Sequence, residues 1–286
     1  MEIIKHYRDN AALRSSFNAL AEKTFGLNFE NWYRNGFWGD NYDPYSVLED
    51  GKIVANVSVN RTDMVIGGER KRLYQLGTVM TAEEYRNRGY IRAIMEEVEK
   101  DIADADGVYL FGNDDVVTFY PKFGFVPGTE HCFSKTVTQT GENRMEQIPM
   151  DGPQGWNRLR RAMEASTFQT GCRMVDNSEL IFFYVSQFMQ ECVWHDAATD
   201  TWVIAEQEAG ELLIHDVFSS NPVSLDAVME AFGGSVTSVT LGFAPAEPAG
   251  WICREYHEED CNFFVRGEAF RDFGEKKLRI PSLSHA

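Results

Sequence analysis

Alternating strand and helix patterns place this chain in the α/β class, with a break near its middle. Three observations carry that reading. Residues 73–80 form an apolar run that reads as a buried strand. Residues 90–103 put Ile91, Ile94, Met95, Val98 and Ile102 on one face at helical spacing. Residues 107–111 form a second short apolar run ending in Gly112.

The elements before these follow in order. Residues 10–25 show a helical pattern with Leu13, Phe17, Leu20, Ala21 and Phe25 on one side, and Gly26 is a natural stop. An aromatic cluster follows: Phe29, Trp32, Tyr33, Phe37, Trp38, Tyr42 and Tyr45. Strand-like stretches 45–49 and 52–59 flank Asp50-Gly51, a strong hairpin signal. Gly67-Gly68 marks another turn, which leads into the strand at 73–80.

Between that strand and the helix lies Arg86-Asn87-Arg88-Gly89-Tyr90-Ile91. A strand, a short basic loop with a Gly and a helix N-terminus make an anion site, because free backbone N–H groups and the positive helix end converge there. Arg86 and Arg88 add permanent charge suited to phosphate oxygens, which points to a pyrophosphate. Taken alone, basic residues at a helix start are as often plain surface. A second signal lies some thirty residues on, in Phe119-Tyr120-Pro121-Lys122-Phe123-Gly124-Phe125.

With both motifs in this order, the chain resembles the GCN5-related N-acetyltransferase (GNAT) superfamily over residues 3–137. Arg86 to Gly89 looks like that family's phosphate-binding loop, although the final small residue of the family pattern is Ile91 here. Tyr120 to Phe125 looks like its Tyr-containing motif. The version Arg88-Gly89-Tyr90-Ile91-Arg92 is similar, more loosely, to the two-domain "enhanced intracellular survival" branch. The resemblance implies a mixed central sheet flanked by helices, acetyl-CoA as co-substrate, and transfer of its acetyl group to a primary amine by direct attack in a ternary complex. It implies that the loop 86–91 binds the pyrophosphate, and that Val79 and Thr81 grip the pantetheine arm through their main chain. Asn113 would contact the same arm, and Tyr120 would protonate the departing sulfur. Without the resemblance, Tyr120 is a core aromatic with one hydroxyl partner.

The general base is open on three options. The strand at 71–81 has no Asp, Glu or His, so water, Asp40 or Asp43, or the terminal carboxylate of Ala286 would serve. The last comes from the branch resemblance, and the stretch 280–286 has apolar anchors. For the acceptor, Trp32, Trp38, Asp40, Tyr42 and Asp43 offer π faces and carboxylates that suit a cation, which predicts a small-molecule or peptide amine, cationic acceptors included. A non-catalytic acyl-CoA-binding or protein-interaction module is the competing reading.

Beyond residue 137 a polar stretch with Gly141, Pro149, Gly152 and Pro153 marks a boundary, giving domains 1–145 and 151–286. The second half repeats the pattern faintly, with strands at 201–205 and 211–218, a helix at 225–232 and a strand at 236–243. Where a phosphate loop would lie it reads Ser219-Ser220-Asn221-Pro222-Val223, without Arg or Gly. It is expected to be a degenerate GNAT-like domain that binds no nucleotide; an unrelated α+β domain is the alternative.

Composition fits a soluble, cytoplasmic enzyme: 43% hydrophobic and 25% charged over 286 residues, with no apolar stretch of membrane-spanning length. The net charge of −17 is uneven, −5 over residues 1–145 and −12 over 146–286. Such acidity argues against nucleic-acid partners. Cys132, Cys172, Cys192, Cys253 and Cys261 are scattered and odd in number, so no disulfide framework and no metal are expected. Homodimerisation is an expectation from the resemblance alone.

Overall fold

The computed structural model describes residues 1–138 and 140–285. The first half runs β1 (Glu2–Ile4), α1 (Ala11–Phe25), α2 (Glu30–Arg34), β2 (Tyr42–Glu49), β3 (Lys52–Arg61), β4 (Met64–Ile66), β5 (Glu69–Lys71), β6 (Leu73–Thr81), α3 (Tyr90–Asp101), β7 (Gly107–Gly112), β8 (Val126–Pro127) and β9 (Glu130–Thr136). The remainder comprises β10 (Glu146–Gln147), α4 (Pro153–Ala165), β11 (Cys172–Met174), α5 (Ser178–Gln187), β12 (Val193–Asp196), β13 (Thr201–Glu208), β14 (Glu211–Ser219), α6 (Leu225–Ala231), β15 (Ser238–Leu241), β16 (Ile252–Tyr256) and β17 (Asn262–Arg266). The class is mixed α/β, as the sequence predicts.

Local chemistry sets the first elements. Asn10 caps α1, its side chain accepting from the N–H groups of Ala12 and Leu13, and Gly26 closes the helix at φ 70°. Phe25 is exposed, contrary to the expected face, because it sits in the last turn beyond the core. Arg14 takes an inner position instead, bonded to Glu30 at 2.8 Å and stacked 3.6 Å from the Tyr33 ring. The β2–β3 hairpin turns through Asp50 and Gly51, both at positive φ, the geometry of a type I′ turn.

The first sheet has the order β1-β2-β3-β6-β7-β17-β8 and the second β10-β12-β13-β14-β15-β9-β16. Helix α3 packs Ile94, Met95 and Val98 on one face of the first sheet, with Val57, Leu76 and Leu110. The opposite face carries α1 and the aromatic cluster, which continues into α5 and the second sheet through Phe182, Phe183 and Ile204. Trp32 and Trp38 stack 5.5 Å apart inside it.

The two sheets exchange strands. β9, from the first half, lies between β15 and β16 of the second sheet, while β17 returns to the first sheet between β7 and β8. A third crossing pairs β11 with β4. Neither sheet is therefore assembled from one side of the polar stretch at 137–153. The chain then runs from Leu278 to His285 along the seam. His131 N–H donates to the Leu278 carbonyl at 3.0 Å, Ile280 N–H to Glu130 Oε1 at 2.7 Å, and Ser282 N–H to the Gly242 carbonyl at 2.8 Å.

Two outcomes follow from this interlock. A fragment of residues 1–145 leaves the β7 edge without β17 and strips Phe263 from Tyr109 and Phe111. It is expected to lack the near-UV circular dichroism of the full chain, which should unfold in one calorimetric transition; an independently folded fragment would contradict the interlock. Burial pushes the Glu130 carboxyl up from 4.5 to about 7. A carboxyl raised in the folded state stabilises below its unfolded value, and that contribution is lost as pH rises through about 7. Glu130→Gln, which keeps an acceptor for Ile280, should flatten the fall in melting temperature between pH 4.5 and about 7.

Candidate active site

β6 and β7 run parallel and pair from Leu73–Gly107 to Leu76–Leu110, and their register ends there. Beyond it β6 stays paired with β3 as far as Thr81 but leaves β7, so the sheet splits. The cause is an irregularity in the β3–β6 register between Asn56 and Ser58, opposite Thr78. Thr78 has φ 48°, a conformation that costs a β-branched residue about 1–3 kcal/mol.

Buried polar groups hold Thr78 there. Asn56 Nδ2 donates to its carbonyl at 2.9 Å, and its Oγ1 lies 2.7 Å from the Tyr42 hydroxyl. Tyr42 donates to Ser58 Oγ at 2.8 Å, Asn56 Nδ2 donates to the same oxygen at 2.9 Å, and Ser46 Oγ donates to Asn56 Oδ1 at 2.8 Å. Ser46, Asn56 and Ser58 are fully buried, so each partner lost would leave an unsatisfied group behind it. Side chains alternate across the kink, Val79 packing on the α3 side and Thr78 facing the aromatic side.

After Thr81 a tight turn through Glu83–Tyr85 leads to Arg86 and the start of α3. Asn87 and Gly89 both have positive φ, at 61° and 79°. Gly89 is the N-cap and provides no side-chain acceptor, and the first intrahelical bond is Ala93 N–H to the Gly89 carbonyl. The N–H groups of Tyr90, Ile91 and Arg92 thus face outward without intrahelical partners. Arg86 is exposed and joins no ion pair among the described residues. Arg88 folds back, donating to the Glu84 carbonyl at 2.9 Å with its guanidinium 4.7 Å from the Tyr85 ring. This is a donor-rich helix end suited to an anion.

Across the split, Asn113 is exposed just beyond β7, and Tyr120 is buried in the turn Tyr120–Phe123. Its ring packs against Phe119, Phe125 and Phe264, and a Cβ on Gly112 would come within 3.0 Å of it. Its hydroxyl has no hydrogen-bond partner among the described residues, and burial pushes it up to about 12. It therefore keeps its proton throughout the physiological range.

On the aromatic side of the split lies a cavity of about 160 Å³, lined by Thr78, Tyr42, Phe29, Trp32, Phe183 and His285 among others. His285 comes from the seam segment. Its ring stacks 3.8 Å above Phe111, one residue past the last β7 pair, and Tyr109 donates to the Ser284 carbonyl at 2.9 Å. Sequence reading missed Thr78, Phe111, Phe183 and His285; only the apolar anchors of the last segment hinted at the last of these. The structure brings Trp32 and Tyr42 to this cavity but not Trp38, Asp40 or Asp43. Trp38 is core, donating to the Tyr42 carbonyl at 3.0 Å. Asp40 pairs with Arg8 at 2.7 Å on the surface, and Asp43 pairs with His6 at 2.7 Å. Ala286 lies outside the described residues.

Residues 10–128 match the family model of the acetyltransferase (GNAT) domain. No curated protein matches the chain in sequence. Among solved structures, a conserved Enterococcus faecalis V583 protein designated a probable N-acyltransferase superposes with TM-score 0.62 at 16% identity, covering 96% of this chain and 74% of its own. A GCN5-related N-acetyltransferase from Kribbella flavida superposes with TM-score 0.56 at 16% identity, over 93% and 71% of the two chains. Eis1 from Mycobacterium abscessus does so at 0.55 and 12% identity, over 92% and 73%. At these identities the likeness is one of fold, and it extends across both sheets.

If the α3 N-terminus is the anion site, Arg86→Ala/Arg88→Ala should weaken acetyl-CoA binding at least about tenfold, as loss of two phosphate-directed charges implies. Gly89→Ala, strained by about 1–2 kcal/mol in the left-handed region, should weaken it with no steric clash to blame. Unchanged titration calorimetry in both variants would remove the loop from the site.

Proposed function

We propose that this chain, whose residues 10–128 match the acetyltransferase (GNAT) domain model, is an N-acetyltransferase taking its acetyl group from acetyl-CoA and passing it to a primary amine in a ternary complex. The observation that carries this reading is the adjacency of the split strand pair to the uncapped, Arg-bearing start of α3. A diphosphate at Tyr90, Ile91 and Arg92 would leave an extended arm pointing into the gap between β6 and β7. There, the main chain of Val79 and Thr81 on β6 is free of β7 and able to pair with the arm's amides.

The thioester supplies a carbonyl carbon activated by sulfur. The residues of the chain do the rest. Backbone groups beyond Leu76 hold the arm, which turns a bimolecular encounter into a local one. The free amine adds to the carbonyl carbon, the C–S bond breaks, the Tyr120 hydroxyl gives its proton to the sulfur, and the proton shed by the nitrogen leaves to water, from which the tyrosinate is reloaded. A hydroxyl held up to about 12 by burial is an acid that stays loaded at neutral pH and matches a basic thiolate better than water does. The ring is buried, but the hydroxyl oxygen is bonded to no described residue and is not sealed off from solvent, which leaves it able to meet a ligand's sulfur. It also counts against the non-catalytic acyl-CoA-binding alternative, for which Tyr120 has no task. The second sheet is assigned no nucleotide. Its helix α6 is short and its N-terminus is already satisfied by Ser224 Oγ, which accepts from Ala227 N–H at 3.1 Å.

Tyr120→Phe should lower kcat by about 10²-fold or more, the usual worth of a positioned acid. Acetyl-CoA affinity should be unchanged, and the wild-type rate should show no alkaline decline below about pH 11, as expected for an acid that titrates near 12. An unaltered kcat in the variant would return Tyr120 to the core.

A further inference from the structure

We propose that the cavity beside Thr78 is the acceptor subsite for a small apolar primary monoamine, an arylalkyl or branched alkyl amine, with its nitrogen against Nε2 of His285. This rests on the acetyltransferase reading above and adds the substrate class and the residue that receives the amine.

The cavity's position comes first. Thr78 is the residue at which β6 leaves β7, and Phe111, beneath the His285 ring, is the first residue of β7 past the pairing. The cavity is therefore bounded by β6 at Thr78 and by His285, which rests on β7 at Phe111, where the arm of a bound thioester would end. Its walls come next. Phe29, Trp32 and Phe183 are buried aromatics, with centroids 5.1–6.3 Å apart, and no Asp or Glu lines the space. Asp40 and Asp43, the carboxylates nearest in sequence, are bound to Arg8 and His6 instead. A volume of about 160 Å³ with these walls fits one aromatic ring or branched chain and disfavours a second charge.

The polar residues of this lining are Tyr42, Thr78, Tyr184 and His285, and the Tyr42 and Thr78 hydroxyls are bonded to each other. Nε2 of His285 is shut off from solvent and has no hydrogen-bond partner among the described residues. An orphaned imidazole nitrogen at that depth costs free energy that an entering N–H donor would recover. The ring is fixed by its stack on Phe111 and by the Tyr109–Ser284 bond. Burial, with a smaller contribution from Arg279, pushes it down to about 3, so it is neutral and able to accept. The neutral amine donates one N–H to Nε2 and turns its lone pair toward the thioester carbon. As the C–N bond forms and the C–S bond breaks, Nε2 keeps its hydrogen bond to the nitrogen, whose surplus proton leaves to water, and the sulfur takes the proton of Tyr120. Exchange with water then restores Tyr120.

The test uses the full chain with acetyl-CoA and three probes: phenethylamine, isoamylamine and spermidine. The first two should be acetylated with kcat/KM at least tenfold above spermidine. His285→Leu should lower kcat/KM for phenethylamine tenfold or more while the KM for acetyl-CoA stays put, and His285→Gln, which restores an acceptor, should recover part of the loss. Leu27→Trp, which fills the cavity from its rim, should abolish phenethylamine turnover and leave acetyl-CoA binding intact. Preference for spermidine, indifference to His285→Leu, or faster use of octanoyl-CoA in competition with phenethylamine would each overturn the assignment. Failure of acetyl-CoA to bind the wild type would instead overturn the acetyltransferase reading itself.

Discussion

The parting of β6 from β7 after Leu76 and Leu110 is the constraint around which the rest is arranged. Two parallel strands gain by pairing along their length, so a split between them must be enforced. Thr78 enforces it by adopting φ 48°, and a buried network of Tyr42, Ser46, Asn56 and Ser58 holds it there. Each of those side chains sits in β2 or β3, so the hairpin turned by Asp50-Gly51 acts as the clamp for a kink one strand away. Strain of this kind, held by fully satisfied neighbours, belongs to a place where backbone must be offered to a ligand rather than to a partner strand.

The second sheet shows the same parallel pair put to a different use. β14 and β15 pair from Glu211–Ser238 to Ile214–Leu241, and then Gly242 opens the way for the seam segment. A Cβ at Gly242 would lie 2.3 Å from Ser282 Oγ, which in turn bonds His215 Nδ1 at 2.9 Å. The chain itself fills that place. From there it runs on to Tyr109 and Phe111, so one segment closes the second sheet and furnishes a wall of the cavity in the first. The exchange of β9 and β17 makes that delivery possible, because it locks the two sheets in a fixed relation.

Much of the first sheet was legible because its signals are local. Asn10 and Gly26 mark α1, Asp50-Gly51 marks a hairpin, and the periodicity of Ile94, Met95 and Val98 marks α3, all within a few residues. The uncapped, Arg-bearing start of α3 was legible for the same reason. What escaped depends on contacts distant in sequence. β17 is an apolar stretch like any other until it is seen beside β7, and nothing in residues 130–136 says that they pair across the molecule. The cation cage of Trp38, Asp40 and Asp43 came from proximity along the chain; Arg8 and His6, some thirty residues upstream, take the two carboxylates. His285 lies far in sequence from Thr78, and no spacing rule joins them.

Hydrogen–deuterium exchange of the full chain, with and without acetyl-CoA, tests the role of the split most directly. If the freed edge of β6 and the start of α3 hold the co-substrate, protection should rise at the amides of residues 77–81 and 89–92 and stay level in β14, β15 and α6. Protection confined to the second sheet, or none at residues 77–81, would contradict the account.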